Sequence, residues 1–174
     1  AAPLITVPYL ARVLGPTAWA PVLLAQALAA WLVMVMEFGF DLSGARALAR
    51  ARSDSLERAT IVHGVLSAKV LLAPVAAILL LLVFRLTPDL RAAATLLWWT
   101  LAYVLLRGLN PFWFFQGLER VEPAVFIDSG ARLAAALGVF FFVHGPADAA
   151  RVLALQAVAA LIATLALTLT MARD

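Results

Sequence analysis

Four ionisable side chains interrupt long apolar runs of this sequence: Lys69, Arg107, Asp128 and Arg132. A charge in hydrocarbon is costly, so each of them needs a partner or a wet cavity. Asp128 and Arg132 stand four residues apart, which puts both on one helix face where they can pair. Three cations against one carboxylate leave positive charge in excess. A guanidinium fork holds two oxygens of an anion at once, so the chemistry these residues suit is reversible binding of a phosphate or pyrophosphate group. The alternative is internal pairing, with Asp128 satisfied by Arg132 and Arg107 snorkelling or capping backbone freed at Pro111.

Two acidic residues, Glu37 and Asp41, lie in the stretch "EFGFDLSGAR". They can reach the membrane interface, pair with Arg46, or serve in coupling to a cation. Gln26 and Gln156 are neutral and read as interhelical hydrogen-bond formers. Other chemistries find no support. With no cysteine there is no disulfide, iron–sulfur cluster or thiolate zinc site. His63 and His144 lie far apart without ligand-spaced carboxylates, so no metal and no cofactor is expected. There is no P-loop, no paired acidic motif facing a loop, and no histidine near Ser43, so the chain does not read as an enzyme. The pI near 10.2 comes from scattered arginines. No basic run interleaved with aromatics speaks for nucleic acid.

The elements that position these groups follow from hydropathy. Of 174 residues 65% are hydrophobic and 13% charged, with a mean hydropathy of +1.00. A soluble domain could not cover that much apolar surface. Several uncharged runs exceed the roughly 18 residues that mark a spanning helix. The expected fold is an all-α polytopic membrane protein of six helices in one bundle over 1–174, with no soluble domain. Helix one ends near Leu14. "GPTAWAP" (15–21) is a turn with Pro16 and Pro21 as breakers. Helix two spans 22–42, and 43–58 is the one extended polar stretch. Helix three spans 59–84 around Pro74, helix four 92–118, helix five 123–143 and helix six 149–171. The chain lacks an initiator Met, and helix one is expected to be truncated.

Arginine placement sets the expected orientation. Arg46, Arg50, Arg52 and Arg58 crowd the connection after helix two, whereas Arg85, Arg91 and Arg151 are spread over two others. The 43–58 side is therefore cytoplasmic, and so are both ends of the chain. From that side Arg107 lies about 18 Å deep, Lys69 about 16 Å and Arg132 about 15 Å, at 1.5 Å per helical residue. This predicts one cationic level contributed by helices three, four and five, with Asp128 one turn away.

The stretch "NPFWFFQGLE" (110–119) closes helix four. Trp113 lies about 9 Å from Glu119 along the helix, a depth that suits an aromatic interface belt. Asn110 and Pro111 stand one turn past Arg107, where a break would aim that cation. Gln116, Gly117 and Glu119 close the helix into the turn before helix five. The stretch thus reads as a device that positions the cationic site.

Two segments resemble a known family. "PYLARVLGPTAWAPVLLAQALAAW" (8–31) running on to "EFGFDLSGAR" (37–46), together with "NPFWFFQGLE", resemble the Wzx-type polysaccharide flippases of the multidrug/oligosaccharidyl-lipid/polysaccharide (MOP) superfamily. Asp41 stands where that pattern usually has Asn, and Ala45 where Thr often precedes the Arg. The resemblance implies one lobe, the N-terminal half, of a two-lobe transporter with a central cavity. It implies alternating-access translocation of undecaprenyl-pyrophosphate-linked oligosaccharide across the bacterial inner membrane for O-antigen or other surface polysaccharide. Implied partners are that lipid-linked substrate, membrane lipids and other polysaccharide assembly proteins. Trp113, Gln116, Gly117 and Glu119 carry over as motif residues. A multidrug/cation antiporter of the same superfamily, which would need an acidic cavity, and a non-transporting scaffold are the competing readings.

Overall fold

A computed structural model describes residues 2–51 and 54–173, with side chains from Thr6 onward; Arg52, one of the four arginines used for orientation, lies outside them. The described residues form α1 (Ala2–Glu37), α2 (Phe40–Arg50), α3 (Ser55–Leu86), α4 (Pro88–Ala92), α5 (Ala94–Gly108), α6 (Phe112–Gly117), α7 (Val121–Phe142) and α8 (Ala149–Met171). No strand occurs among them.

Helix α1 contains the first two expected helices. Its only non-helical residue is Gly15, at φ 70° and ψ 170°, which separates 2–14 from 16–37. The seven-residue turn expected at 15–21 is therefore a single residue. Pro16 opens the second segment, where its missing N–H costs nothing, and Pro21 is absorbed inside the helix. The buried stripe Val22, Ala25, Ala29, Leu32 and Met36 then follows helical spacing.

The polar stretch 43–58 is also helical for most of its length. Phe38 and Gly39 both have positive φ, 37° and 77°, which ends α1 and lets α2 start on a new axis. Asp54 caps α3, its Oδ1 accepting from the backbone N–H of Leu56 at 2.9 Å and of Glu57 at 3.1 Å. Helix α3 runs through Pro74 to Leu86 without a break.

The expected fourth helix is in pieces. Pro111 has no N–H, and the Asn110 N–H bonds the Arg107 carbonyl at 3.2 Å, so the Leu106 carbonyl loses its helical donor. The Thr164 hydroxyl of α8 donates to that carbonyl at 2.9 Å and accepts from Asn110 Nδ2 at 3.2 Å. Asn110 Oδ1 in turn accepts from the Phe112 N–H at 3.0 Å. Two polar side chains thus satisfy a helix break within the bundle, which apolar surroundings require.

Four stretches are long and apolar enough to cross a membrane: Thr6–Arg50, Ser55–Leu86, Val121–Phe142 and Pro146–Met171. The difference from six spans arises because the first includes two expected helices and α4–α6 is broken. Helix α5 packs against α1 and α8, α7 against α8, and α2 against α6. At the far end from α2 and α6, Tyr9 donates to the Val143 carbonyl at 2.9 Å and its ring lies 4.6 Å from that of Phe140. Large apolar side chains face outward, among them Leu71, Phe126 and Phe141. Such surface suits lipid and would aggregate in water. The protein is an all-α polytopic membrane protein.

Candidate functional site: a charged cavity and its support

A cavity of about 410 Å³ lies between α1, α5, α7 and α8. Small side chains make room for it: Ala131 and Ala135 on α7, Ala159 and Ala163 on α8. Its polar lining includes Arg107, Asp128, Arg132, Tyr103, Gln26 and Gln156. Asp128 is the centre of the charge arrangement. Its Oδ1 accepts from Arg107 Nη1, its Oδ2 lies 3.5 Å from Arg107 Nη2, and Arg132 Nε meets Oδ2 at 3.0 Å from one turn along α7.

Burial differs along this triad. The Arg107 side chain is 21% exposed and that of Arg132 60%, while Asp128 is held at 12%. Two guanidinium groups and one carboxylate leave one net positive charge facing the cavity. An arginine carries five N–H donors, so most of the ten remain free of Asp128. An entering anion meets donors already held in place by a carboxylate and two helices.

Lys69 is not part of this lining. It is fully buried on α3, and its Nζ donates to Asp41 Oδ1 at 2.7 Å. Equal depth placed it with Arg107 and Arg132; its direction around α3 carries it instead toward α2. Glu37 lies within electrostatic reach of Asp41, Lys69 and Arg107, so the α1–α2 break brings a second charged cluster up beside the triad. The pairing of Asp41 with Lys69 escapes a reading that treats 43–58 as a loop. Once α2 is taken as a helix folded back on α3, residues 41 and 69 fall opposite each other.

The aromatic stretch is not a belt. Trp113 is fully buried, Phe115 and Phe114 nearly so, and they form a second core with Leu48, Val65, Ala124 and Leu167. The three rings pack edge to face, with centroids at 6.4 Å and 5.4 Å. The depth estimate assumed one straight helix to Glu119; the break at Asn110–Pro111 turns α6 inward onto α2. Gln116 and Glu119 are exposed, and Glu119 closes α6 with φ 58°.

Glycines set the α2–α6 distance. A Cβ on Gly44 would come within 2.9 Å of the Trp113 ring, and one on Gly117 within 2.8 Å of both the Ala45 carbonyl and Leu48 Cβ. The two segments "EFGFDLSGAR" and "NPFWFFQGLE" thus dock on each other, which their separation in sequence conceals. Gly117→Val is expected to cost about 1–3 kcal/mol by overpacking, because the obstructing Ala45 oxygen belongs to backbone. A thermal melt of the purified protein in detergent measures it, and an unchanged midpoint would contradict this contact.

Such a bundle, with lipid-suited outer faces and a charged cavity among its helices, defines a class: multi-pass membrane proteins built around a polar interior site. The chain belongs to the polysaccharide biosynthesis protein family, whose sequence profile matches residues 1–173. It is similar to the "Putative O-antigen transporter" of Escherichia coli (strain K12), at 31% identity over 149 residues, covering 85% of this chain and 36% of that protein. A protein of the same description from Shigella dysenteriae is 30% identical over 148 residues, covering 84% of this chain and 36% of its own length. The chain thus spans little more than a third of the curated relatives it matches. No solved structure matches it. The family match bears out the resemblance carried by the two segments.

Proposed function

We propose that this chain is one six-helix lobe of a transporter that flips undecaprenyl-pyrophosphate-linked oligosaccharide across the bacterial inner membrane for surface polysaccharide synthesis. The observation that carries this reading is the Arg107–Asp128–Arg132 triad, with its net positive charge and free N–H donors facing a cavity. Family membership and the transporter names of the relatives support it. Arg107 and Arg132 bind the pyrophosphate, and Asp128 orients them. Lys69 acts at one remove by holding Asp41, and with it α2, in place. Glu37 completes that cluster. Asn110 and Pro111 aim Arg107, while Trp113 and Gly117 lock α6 to α2. The Arg-rich α2–α3 side faces the cytoplasm. A second lobe completes the path, and alternating access moves the substrate.

A drug-cation antiporter needs the opposite sign in the cavity. A scaffold needs only paired charges, so it predicts that Asp128→Asn with Arg132→Gln leaves polysaccharide export intact. The transport reading predicts that deleting the gene makes lipid-linked repeat units accumulate in the inner membrane, and that the full reading frame restores export. Normal repeat-unit levels in the deletion strain would overturn it.

A further inference from the structure

We propose that the α2–α3 corner is a binding site for anionic glycerophospholipid headgroups, separate from the cavity. Helix α2 turns Gly44 and Leu48 inward onto α6 and Trp113. Its opposite side carries Leu42, Arg46 and Arg50, all exposed and four residues apart, so they stand in one row. Phe38, 75% exposed, precedes them across the α1–α2 break and so flanks the row without belonging to it.

A third arginine, Arg58 of α3, stands beside the row; it is half-buried, and its Nε is enclosed without a hydrogen-bond partner among the described residues. Asp41 meets Lys69 and Gly44 meets Val65, so α2 and α3 run antiparallel. The same register places Arg58 beside the end of α2, next to Leu56, which is 80% exposed. Among the described residues none of Arg46, Arg50 and Arg58 has an acidic partner, whereas Lys69, Arg107, Arg132 and Arg151 all do. Two carboxylates stand at this corner: Asp54 accepts from two backbone N–H groups of α3, and Glu57, exposed in the first turn of α3, makes no ion pair among the described residues.

The exposed guanidinium groups of Arg46 and Arg50, with half-buried Arg58 beside them and exposed Leu42 and Phe38 toward the other end of α2, match a ligand that is anionic at one end and apolar below. A membrane phospholipid is such a ligand, with its phosphate in the arginine forks and its upper acyl chains on the apolar rim. A soluble acidic peptide or a nucleic acid would leave that rim in water. Setting membrane orientation needs only arginines in the connection; it needs neither one row nor an apolar flank. The glycine contacts to α6 hold the row fixed before lipid arrives.

The test is lipid retention by the purified full-length protein, read by native mass spectrometry after exchange into detergent with phosphatidylglycerol or phosphatidylcholine. Wild type is expected to retain phosphatidylglycerol preferentially. R46Q/R50Q/R58Q should lose that preference by about fivefold per arginine. The equally charge-depleted control R12Q/R85Q/R173Q should keep it. The single variants R46Q and R50Q, both on the exposed face, should each show the one-arginine loss and cover the case in which the triple variant does not fold. Unchanged retention in the single or triple variants, or an equal loss in the control, would overturn the site. Displacement of the lipid by soluble pyrophosphate at equal concentration would overturn it too, because it would assign these arginines to the transported headgroup.

Discussion

Asp41→Ala is expected to destabilise the protein by about 3–5 kcal/mol, the loss that follows when one partner of a buried ion pair is removed. Lys69 is fully buried and its ammonium meets Asp41 Oδ1 at 2.7 Å. Without that carboxylate the ammonium has no hydrogen-bond partner among the described residues, and the lipid-facing surroundings offer no water to replace it. The Asp41 side chain is 36% exposed, so the reverse change, Lys69→Met, costs less. Adding Lys69→Met to Asp41→Ala should recover most of the loss, because an apolar pair of similar volume often matches a buried ion pair. Thermal unfolding in detergent distinguishes these outcomes. A double variant no more stable than Asp41→Ala alone would contradict the pairing.

The second large effect is expected at Trp113. Trp113→Ala should cost about 3–5 kcal/mol, as for a large side chain removed from a packed core. An interface-belt tryptophan would behave as a surface residue, with changes within about 0.5 kcal/mol. Among the described residues its indole N–H has no hydrogen-bond partner, so Trp113→Phe removes volume and no hydrogen bond, and should retain most of the stability. A Trp113→Ala protein as stable as wild type would return the aromatics to the membrane interface.

These two residues also show where sequence reading reaches and where it stops. The membrane class was legible because hydropathy depends on composition alone, and α8 was placed at 149–171 because Pro146 and Gly145 leave no choice of start. Pairing of Asp128 with Arg132 was legible because spacing of four fixes a shared helix face. Helix α2 was not legible. It is only eleven residues long, with Asp41, Ser43, Arg46 and Arg50 breaking its apolar run, and what holds it is the docking of Gly44 and Leu48 on a segment some seventy residues away. With helix two ending at 42 and 43–58 read as a polar connection, nothing turns Asp41 toward α3, and depth alone groups Lys69 with Arg107 and Arg132. Depth along a helix says nothing about rotation around it. The same limit turned Trp113 outward: Asn110–Pro111 was visible as a break, but the direction of the chain after it depends on Thr164 across the bundle.

The cavity charge is the centre of this account, and Arg107 is its most buried cation. Arg107→Gln leaves Asp128 paired with Arg132, so the bundle keeps its helix contacts while the cavity changes from net positive to neutral. The decisive measurement is surface polysaccharide export by a deletion strain carrying the full reading frame with Arg107→Gln, Arg132→Gln or both, normalised to the amount of protein in the membrane. Export is expected to fall about tenfold or more for Arg107→Gln, the loss of one or two charge-assisted hydrogen bonds to the anion, and further for the double variant. Wild-type export by the double variant at wild-type membrane abundance would contradict a cationic substrate cavity.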